Sequence, residues 1–498
     1  MEDIRVGEEG AFQARQPESS FDDSIELDGE RLDYTCTVGQ LPLYGDQDDQ
    51  RCEWFYAAYT KKNLSELERA CRPVTFAFNG CPGTSSIYLH VGGLAPKALC
   101  QSDHGLDVPR PPFRLEDNPG TILDFTDLVF IDPLGTGFSR GAGWDKDLLK
   151  RYCGVDEDAE AFSEFIRVWL TKQRRWADPV VVFGESYGGV RGGRLLTKLQ
   201  DRGIMPEAFV ALSPAFSYAE LNTTALLERH LVHTLPAMAV CAWYHKKLSS
   251  RLQALTVDQL REEVGNWAKS EYVPLLWKGV NCLTEKERAD CAAKLAEYTG
   301  LTVAQVEDMN LKVLHSRFAG LLLADEGKAV SLFDSRLTVP EHGYKGDTEP
   351  SSFRVSYPAL AALHDYFGDR LPAGPEREYY LFNDAYVAPA WNFFSGYETK
   401  LEGIPTRAGG FISSLEQIAL AMKRFPDMGL FVGCGYFDIH CSIDTTQYCL
   451  NHLPIPRELM GQITLRRYWG GHMLYTNMDA RLELRRDLKE FYSRTLAR

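Results

Sequence analysis

The stretch from Pro179 to Gly189, PVVVFGESYGG, constrains the fold more than any other part of the chain. An apolar, β-branched run from Pro179 to Phe183 leads straight into Gly184-Glu185-Ser186-Tyr187-Gly188-Gly189. A helix-compatible segment with Val190, Leu195, Leu196 and Leu199 follows. The order is strand, tight turn, helix, and Gly-x-Ser-x-Gly in that setting is the pattern of a nucleophile elbow. The glycines matter because such a turn is too sharp for side chains close to the serine. Ser186 is therefore expected at the carboxyl end of a central strand, its hydroxyl exposed above the sheet. The bland alternative is an ordinary Gly/Ser loop.

Other segments repeat the theme of a buried strand ending in a glycine-rich turn. Val74 to Phe78 reads as a buried strand and runs into Asn79-Gly80-Cys81-Pro82-Gly83-Thr84-Ser85-Ser86. An α/β-hydrolase needs a backbone N–H from a loop after an early strand to complete its oxyanion hole, and this loop suits that role as well as it suits a plain turn. Leu128 to Asp132 ends in Pro133-Leu134-Gly135-Thr136-Gly137-Phe138-Ser139, which lacks the lysine and glycine spacing of a phosphate loop. Upstream, Tyr34 to Tyr44 and Trp54 to Thr60 read as a β-hairpin across the polar turn Gly45 to Gln50. Asp158 to Gln173 has helical periodicity, and Ala208 to Leu212 is a further short strand.

From Phe216 to Asp325 strand signals vanish and helical patterns dominate, as in 221–248, 256–269 and 302–323. A Pro/Gly-rich section, Val339 to Ser352, precedes the return of the α/β pattern: an aromatic stretch at Tyr379 to Phe382, a helix at Leu415 to Arg424, and a strand at Leu430 to Val432. That strand ends in Gly433-Cys434-Gly435-Tyr436-Phe437-Asp438. Strand Ile463 to Tyr468 ends in Trp469-Gly470-Gly471-His472, and an amphipathic helix at 479–492 closes the chain. An acid and a histidine thus each follow a late strand, in the order Ser186, Asp438, His472 that α/β-hydrolases use. The expected architecture is an α/β-hydrolase fold: a mostly parallel central sheet with flanking helices and a helical cap insertion. Its core spans 31–215 and 376–498, the cap spans 216–375, and the acidic residues 1–30 form a poorly ordered lead-in.

Composition excludes several function classes. Over 498 residues the net charge is −15, which argues against nucleic acid or an anionic membrane surface as partner. No apolar run approaches the ~20 residues of a membrane span. Met1 to Gly10 carries Glu2, Asp3, Glu8 and Glu9 and has neither the basic start nor the apolar core of a secretory signal. The expectation is a cytoplasmic protein whose twelve cysteines are reduced. There is no Cys-x-x-Cys pair, and Cys434, His440, Cys441 and Cys449 fit no standard zinc spacing. His230 and His233 lack the glutamate of a zincin helix and read as surface or packing residues. No metal or other cofactor is expected.

Taken together, these segments resemble the serine carboxypeptidase family (peptidase family S10), its bacterial members in particular. The family's Asn-Gly-Gly-Pro-Gly-(Cys/Ser)-Ser-Ser loop corresponds to Asn79–Ser86, and its Asp-Pro-x-Gly-Thr-Gly-(Tyr/Phe)-Ser to Asp132–Ser139. Its Gly-Glu-Ser-Tyr-Gly-Gly is Gly184–Gly189, and Gly435–Asp438 and Gly471–Met473 match its acid and histidine segments. The resemblance implies a hydrolase that removes C-terminal residues from peptides through an acyl-enzyme. Ser186 would be the nucleophile, His472 the base and Asp438 its orienting acid. The N–H groups of Cys81 and Tyr187 would form the oxyanion hole. Asn79, the Gly80 N–H and Glu185 would hold the carboxylate of a peptide with a free C-terminus. A carboxylate meeting Glu185 is a like-charge contact unless the two share a proton, so peptide kcat/KM should rise as pH falls until His472 protonates. The chain departs from the family pattern at Cys81 (for Gly), Thr84 (for Cys or Ser) and Ala77 (for Trp). It also has no acid between Ile87 and Pro96, where eukaryotic members carry a glutamate. Relatives are often secreted or vacuolar. Two alternatives stay open: ester or amide hydrolysis or acyl transfer by the same triad, and a non-catalytic binding homologue.

Overall fold

The computed structural model describes residues 18–44, 50–102, 104–107, 109–141, 146–221, 228–341, 349–371, 377–383, 386–393, 397–401, 404–408 and 412–496. One large sheet organises them. Its principal strands are β1 (Glu18–Leu27), β2 (Glu30–Tyr44), β3 (Gln50–Lys61), β4 (Val74–Phe78), β5 (Asp127–Ile131), β6 (Val180–Glu185), β7 (Pro206–Leu212), β8 (Gly429–Gly435) and β9 (Ile463–Tyr468). They lie in the order β1-β2-β3-β5-β4-β6-β7-β8-β9, with a two-residue strand, Arg140–Gly141, beside β3. The strands from β1 to β5 pair antiparallel, and those from β5 to β9 are parallel throughout.

Every residue of β4, β5, β6, β7 and β8 is buried. A parallel sheet with both faces covered requires this, and it explains why these strands read as continuous apolar runs and not as alternating ones. The alternation appears in where the side chains go. Val181, Phe183, Val210 and Leu212 join one apolar cluster, with Leu484, Leu488 and Phe491 of the C-terminal helix Met478–Leu496. Val180, Val182, Phe209 and Ala211 join the opposite cluster. There they meet Phe162 and Ile166 of helix Val155–Gln173, Leu195 and Leu196 of helix Gly188–Asp201, and Met422 of helix Leu415–Arg424.

Three sequence expectations change. Of the lead-in 1–30, residues 1–17 lie outside the described residues, whereas Glu18–Leu27 forms β1 and pairs with β2 along its whole length. Its ESSFDDSIEL sequence is polar because an antiparallel edge strand needs only one apolar face. Ile25 and Leu27 are buried, and Asp23 on the same face accepts hydrogen bonds from Tyr34 and Tyr366. The helical pattern at 302–323 is broken into Val303–Asp308 and His315–Leu321, with Asn310 and Leu311 both at positive φ between them. Helix Pro350–Phe367, placed by the sequence in the insertion 216–375, packs Val355, Ala359 and Leu363 into a cluster of the main sheet. The helices from Arg229–Tyr244 to His315–Leu321 instead bury Leu235, Met238, Leu260, Leu295 and Phe318 in a cluster of their own. The polar turn 45–49 and half of the Pro/Gly-rich section (342–348) lie outside the described residues. Among the described residues no helix is long and apolar enough to cross a membrane.

Candidate active site

Ser186 follows β6 with φ +60°, a left-handed conformation that costs a non-glycine residue about 1 kcal/mol or more. The surroundings hold it there. The Ser186 N–H donates to Leu212 O (3.0 Å), and its carbonyl accepts from the N–H groups of Gly189 (2.8 Å) and Ala215 (2.9 Å). Gly184 is required because a Cβ there would stand 2.4 Å from Gly188 O.

The next residue on β7's exit, Ser213, ties the elbow to the histidine. Its N–H donates to Gly433 O (2.7 Å) and its Oγ donates to His472 O (2.7 Å). Leu212 and Ser213, adjacent in the chain, therefore anchor the backbones of Ser186 and His472 respectively. His472 follows β9 and Asp438 follows β8, so all three residues stand at the carboxyl end of the parallel strands. His472 Nδ1 meets Asp438 Oδ2 at 2.7 Å, with the histidine side chain 4% and the aspartate 0% exposed. Asp438 Oδ1 accepts the Cys441 N–H (2.8 Å). The Phe333 ring stacks on the imidazole at 4.4 Å between centroids, and Phe333 O accepts the His472 N–H (2.5 Å). Burial disfavours a charged imidazole, but the Asp438 carboxylate outweighs it and lifts His472 well above the usual histidine range. His472 Nε2 is buried and has no hydrogen-bond partner among the described residues, so the one nitrogen available to a substrate proton is this one.

The loop after β4 lies against the elbow. A Cβ on Gly80 would be 2.4 Å from Tyr187 N and 2.7 Å from Ser186 Cβ, so only glycine fits and the backbone reaches the immediate neighbourhood of Ser186. Cys81 follows at φ +41°. Asn79 is buried: its Oδ1 accepts the Leu89 N–H (3.0 Å), and its Nδ2 donates to Glu185 Oε2. Its carbonyl accepts from Arg191 Nη1 (2.5 Å), and Arg191, wholly buried, pairs with Asp158 at 2.6 Å. Glu185, 1% exposed, also accepts from Tyr475 Oη, at 2.8 Å to Oε2 and 3.1 Å to Oε1. Burial pushes its carboxyl up to about 7, against the opposing pull of His472, Tyr475 and Asn79.

The ligand atoms of Asp438, Cys441 and His472 lie within 4.8 Å of one another, close enough for a metal ion. His472 Nδ1 and Asp438 Oδ2 are nevertheless engaged with each other, which is the arrangement acid–base chemistry needs. His230 and His233 are buried on helix Arg229–Tyr244: His230 Nε2 meets His315 Nδ1 at 2.6 Å, and His233 lies 3.5 Å from Glu220.

Residues 41–203 match the family model described as serine carboxypeptidase, a span that holds the Asn79 loop, the 132–139 turn and the elbow. Over that span the chain is similar to the serine carboxypeptidase family. No curated protein matches the chain in sequence. Among solved structures it is similar to a prohormone-processing carboxypeptidase, Kex1, from Saccharomyces cerevisiae. The two are 14% identical over 93% of this chain and 92% of that one, with a TM-score of 0.56. That likeness speaks for the α/β-hydrolase fold. A proline iminopeptidase from Mycobacterium smegmatis is more distant, at 12% identity over 92% of this chain and 98% of that one and a TM-score of 0.38.

Sequence reasoning missed Ser213, Phe333, Arg191 and Tyr475. Arg191 carried a signal, a charge in the first turn of an otherwise apolar helix face. Tyr475 carried a weaker one, three residues beyond His472. Ser213 and Phe333 carried none, because their roles depend on contacts between distant segments.

Proposed function

We propose that the protein removes C-terminal residues from peptides through a Ser186–His472–Asp438 triad and an acyl-enzyme intermediate. The observation that carries this reading is the buried 2.7 Å His472–Asp438 pair, fixed by adjacent residues Leu212 and Ser213 to the strained Ser186 elbow. Ser186 Oγ attacks the scissile carbonyl while His472 Nε2 takes its proton. The same nitrogen then returns the proton to the leaving amino acid. Asp438 holds the proton-bearing Nδ1 and stabilises the imidazolium. The N–H groups of Cys81 and Tyr187 receive the oxyanion, a contribution typically worth ~10²- to 10³-fold per donor. Water activated by His472 releases the shortened peptide.

Asn79 Nδ2, the Gly80 N–H and Glu185 bind the terminal carboxylate. With its carboxyl at about 7, Glu185 is mostly protonated in mildly acidic solution and can donate to that carboxylate. Above about 7 it ionises and repels it. The sign follows: the ratio of kcat/KM for a free-acid peptide to that for its C-terminal amide falls as pH rises through the Glu185 titration. The ratio cancels the His472 ionisation, which both substrates share. In Glu185→Gln the ratio is expected to lose this pH dependence, and pH profiles of the two substrates check it. A ratio that still falls in the variant would assign the titration to another group.

A further inference from the structure

We propose that Tyr475 is the positioning residue for recognition of the substrate carboxylate: its hydroxyl and the Asn79 amide both donate to Glu185 Oε2, leaving Oε1 as the oxygen that bears the proton toward the peptide. The inference rests on the reading of Glu185 as the carboxylate-binding acid. A neutral carboxyl has one carbonyl-type oxygen and one O–H. Two donors converging on one oxygen decide which is which. Asn79 Nδ2 contacts Oε2, and Tyr475 Oη lies at 2.8 Å from Oε2 against 3.1 Å from Oε1. Oε1 is then the oxygen that donates a charge-assisted hydrogen bond to a bound carboxylate.

The tyrosine is built to stay in place. It is fully buried, and its ring covers Gly93, where a Cβ would stand 2.8 Å from Cδ2. Its carbonyl accepts from Arg481 Nε (2.6 Å). Arg481, itself 2% exposed, also donates to Gly92 O (3.2 Å) and Asn118 Oδ1 (3.3 Å), locking the turn after His472 to the opposite loop. Burial holds the phenol well above its ordinary range, so it remains a donor over the whole working pH. The titratable groups facing Glu185 are His472 and Tyr475 from the segment after β9, Asp438 and Cys441 from the segment after β8, and Tyr88 from the loop after β4. Among these, Tyr475 is the one that hydrogen-bonds the carboxyl directly.

Tyr475→Phe keeps the ring against Gly93 and removes only the hydroxyl. The free-acid over amide ratio at low pH is expected to fall by about 10-fold, the scale of the one hydrogen bond from Glu185 Oε1 to the charged substrate carboxylate that Tyr475 positions. Because the Tyr475 hydrogen bond favours the ionised carboxyl, its loss leaves Glu185 protonated to higher pH, and the alkaline fall of the ratio moves upward. A tyrosine that only filled space would leave that fall where it is. In Glu185→Gln, adding Tyr475→Phe is expected to restore no pH dependence. Should Tyr475→Phe fold poorly, 3-fluorotyrosine placed at 475 keeps the ring and donates more strongly, so the fall moves to lower pH. If the wild-type ratio falls with pH, Glu185→Gln flattens it, and neither change at 475 shifts it, the inference on Tyr475 is overturned while the carboxypeptidase reading stands. If the wild type shows no free-acid preference at any pH, the carboxypeptidase reading itself fails.

Discussion

Ser186→Ala is expected to lower kcat by about 10⁶-fold with little change in KM, because in the proposed mechanism it removes the only atom that bonds to the substrate carbonyl. The elbow itself should survive. Its left-handed turn is held by backbone hydrogen bonds to Leu212, Gly189 and Ala215, none of which uses the serine side chain. Alanine bears the same backbone strain that serine already carries at φ +60°. The residual rate should still exceed that in water by about 10³-fold, since the proposed oxyanion loop and carboxylate site remain. Single-turnover kinetics with thermal melting separate the two effects. A variant that melts like the wild type and still turns over peptide at more than about one per cent of its rate would remove Ser186 from the nucleophile role.

Asp438→Asn is the second large effect, a loss of about 10⁴-fold in kcat. The geometry gives the reason. Asp438 Oδ1 accepts the Cys441 N–H at 2.8 Å, so an asparagine keeps its carbonyl oxygen there and turns its NH₂ toward His472. A donor facing Nδ1 forces that nitrogen to be unprotonated and moves the proton to Nε2, the nitrogen needed as base. The imidazole also loses the carboxylate that lifts it well above the ordinary histidine range. The acid limb of the remaining activity is therefore expected at lower pH than in the wild type, because a less basic histidine stays neutral further into acid. Measuring kcat against pH for both proteins checks magnitude and direction together.

How much of this was legible in the sequence depended on whether a feature was local. β4, β6 and β8 could be read because a strand buried on both faces is a continuous apolar run, and each ends in a turn rich in glycine. The same property made Ser186 and Asp438 readable, since each follows such a strand, whereas β9 before His472 is only partly buried and it was the glycine pair Gly470-Gly471 that marked its end. β1 was not readable as a strand: half of it faces solvent, and its pairing with β2 supplies what its composition does not. Residues 229–321 were recognisable as helical, but not where their shared cluster ends. Helix Pro350–Phe367 has an apolar face that suits either cluster, and only the fold places Val355 and Leu363 against the main sheet. Contacts that close the site from elsewhere were invisible. Phe333 reaches the His472 ring from the short segment between Lys328–Val330 and Thr338–Pro340, and Tyr475 reaches Glu185 across the sheet end. Neither depends on a local pattern.

The most direct test of the account is a matched pair of blocked dipeptides, one with a free C-terminal carboxylate and one as its amide or ester, assayed from about pH 4 to 8 beside Ser186→Ala. The account predicts a strong preference for the free acid at low pH, fading as Glu185 ionises and absent from the variant. Turnover of the ester without turnover of the peptide, or equal use of acid and amide at every pH, would contradict it and make the protein an esterase, amidase or acyltransferase working through the same residues.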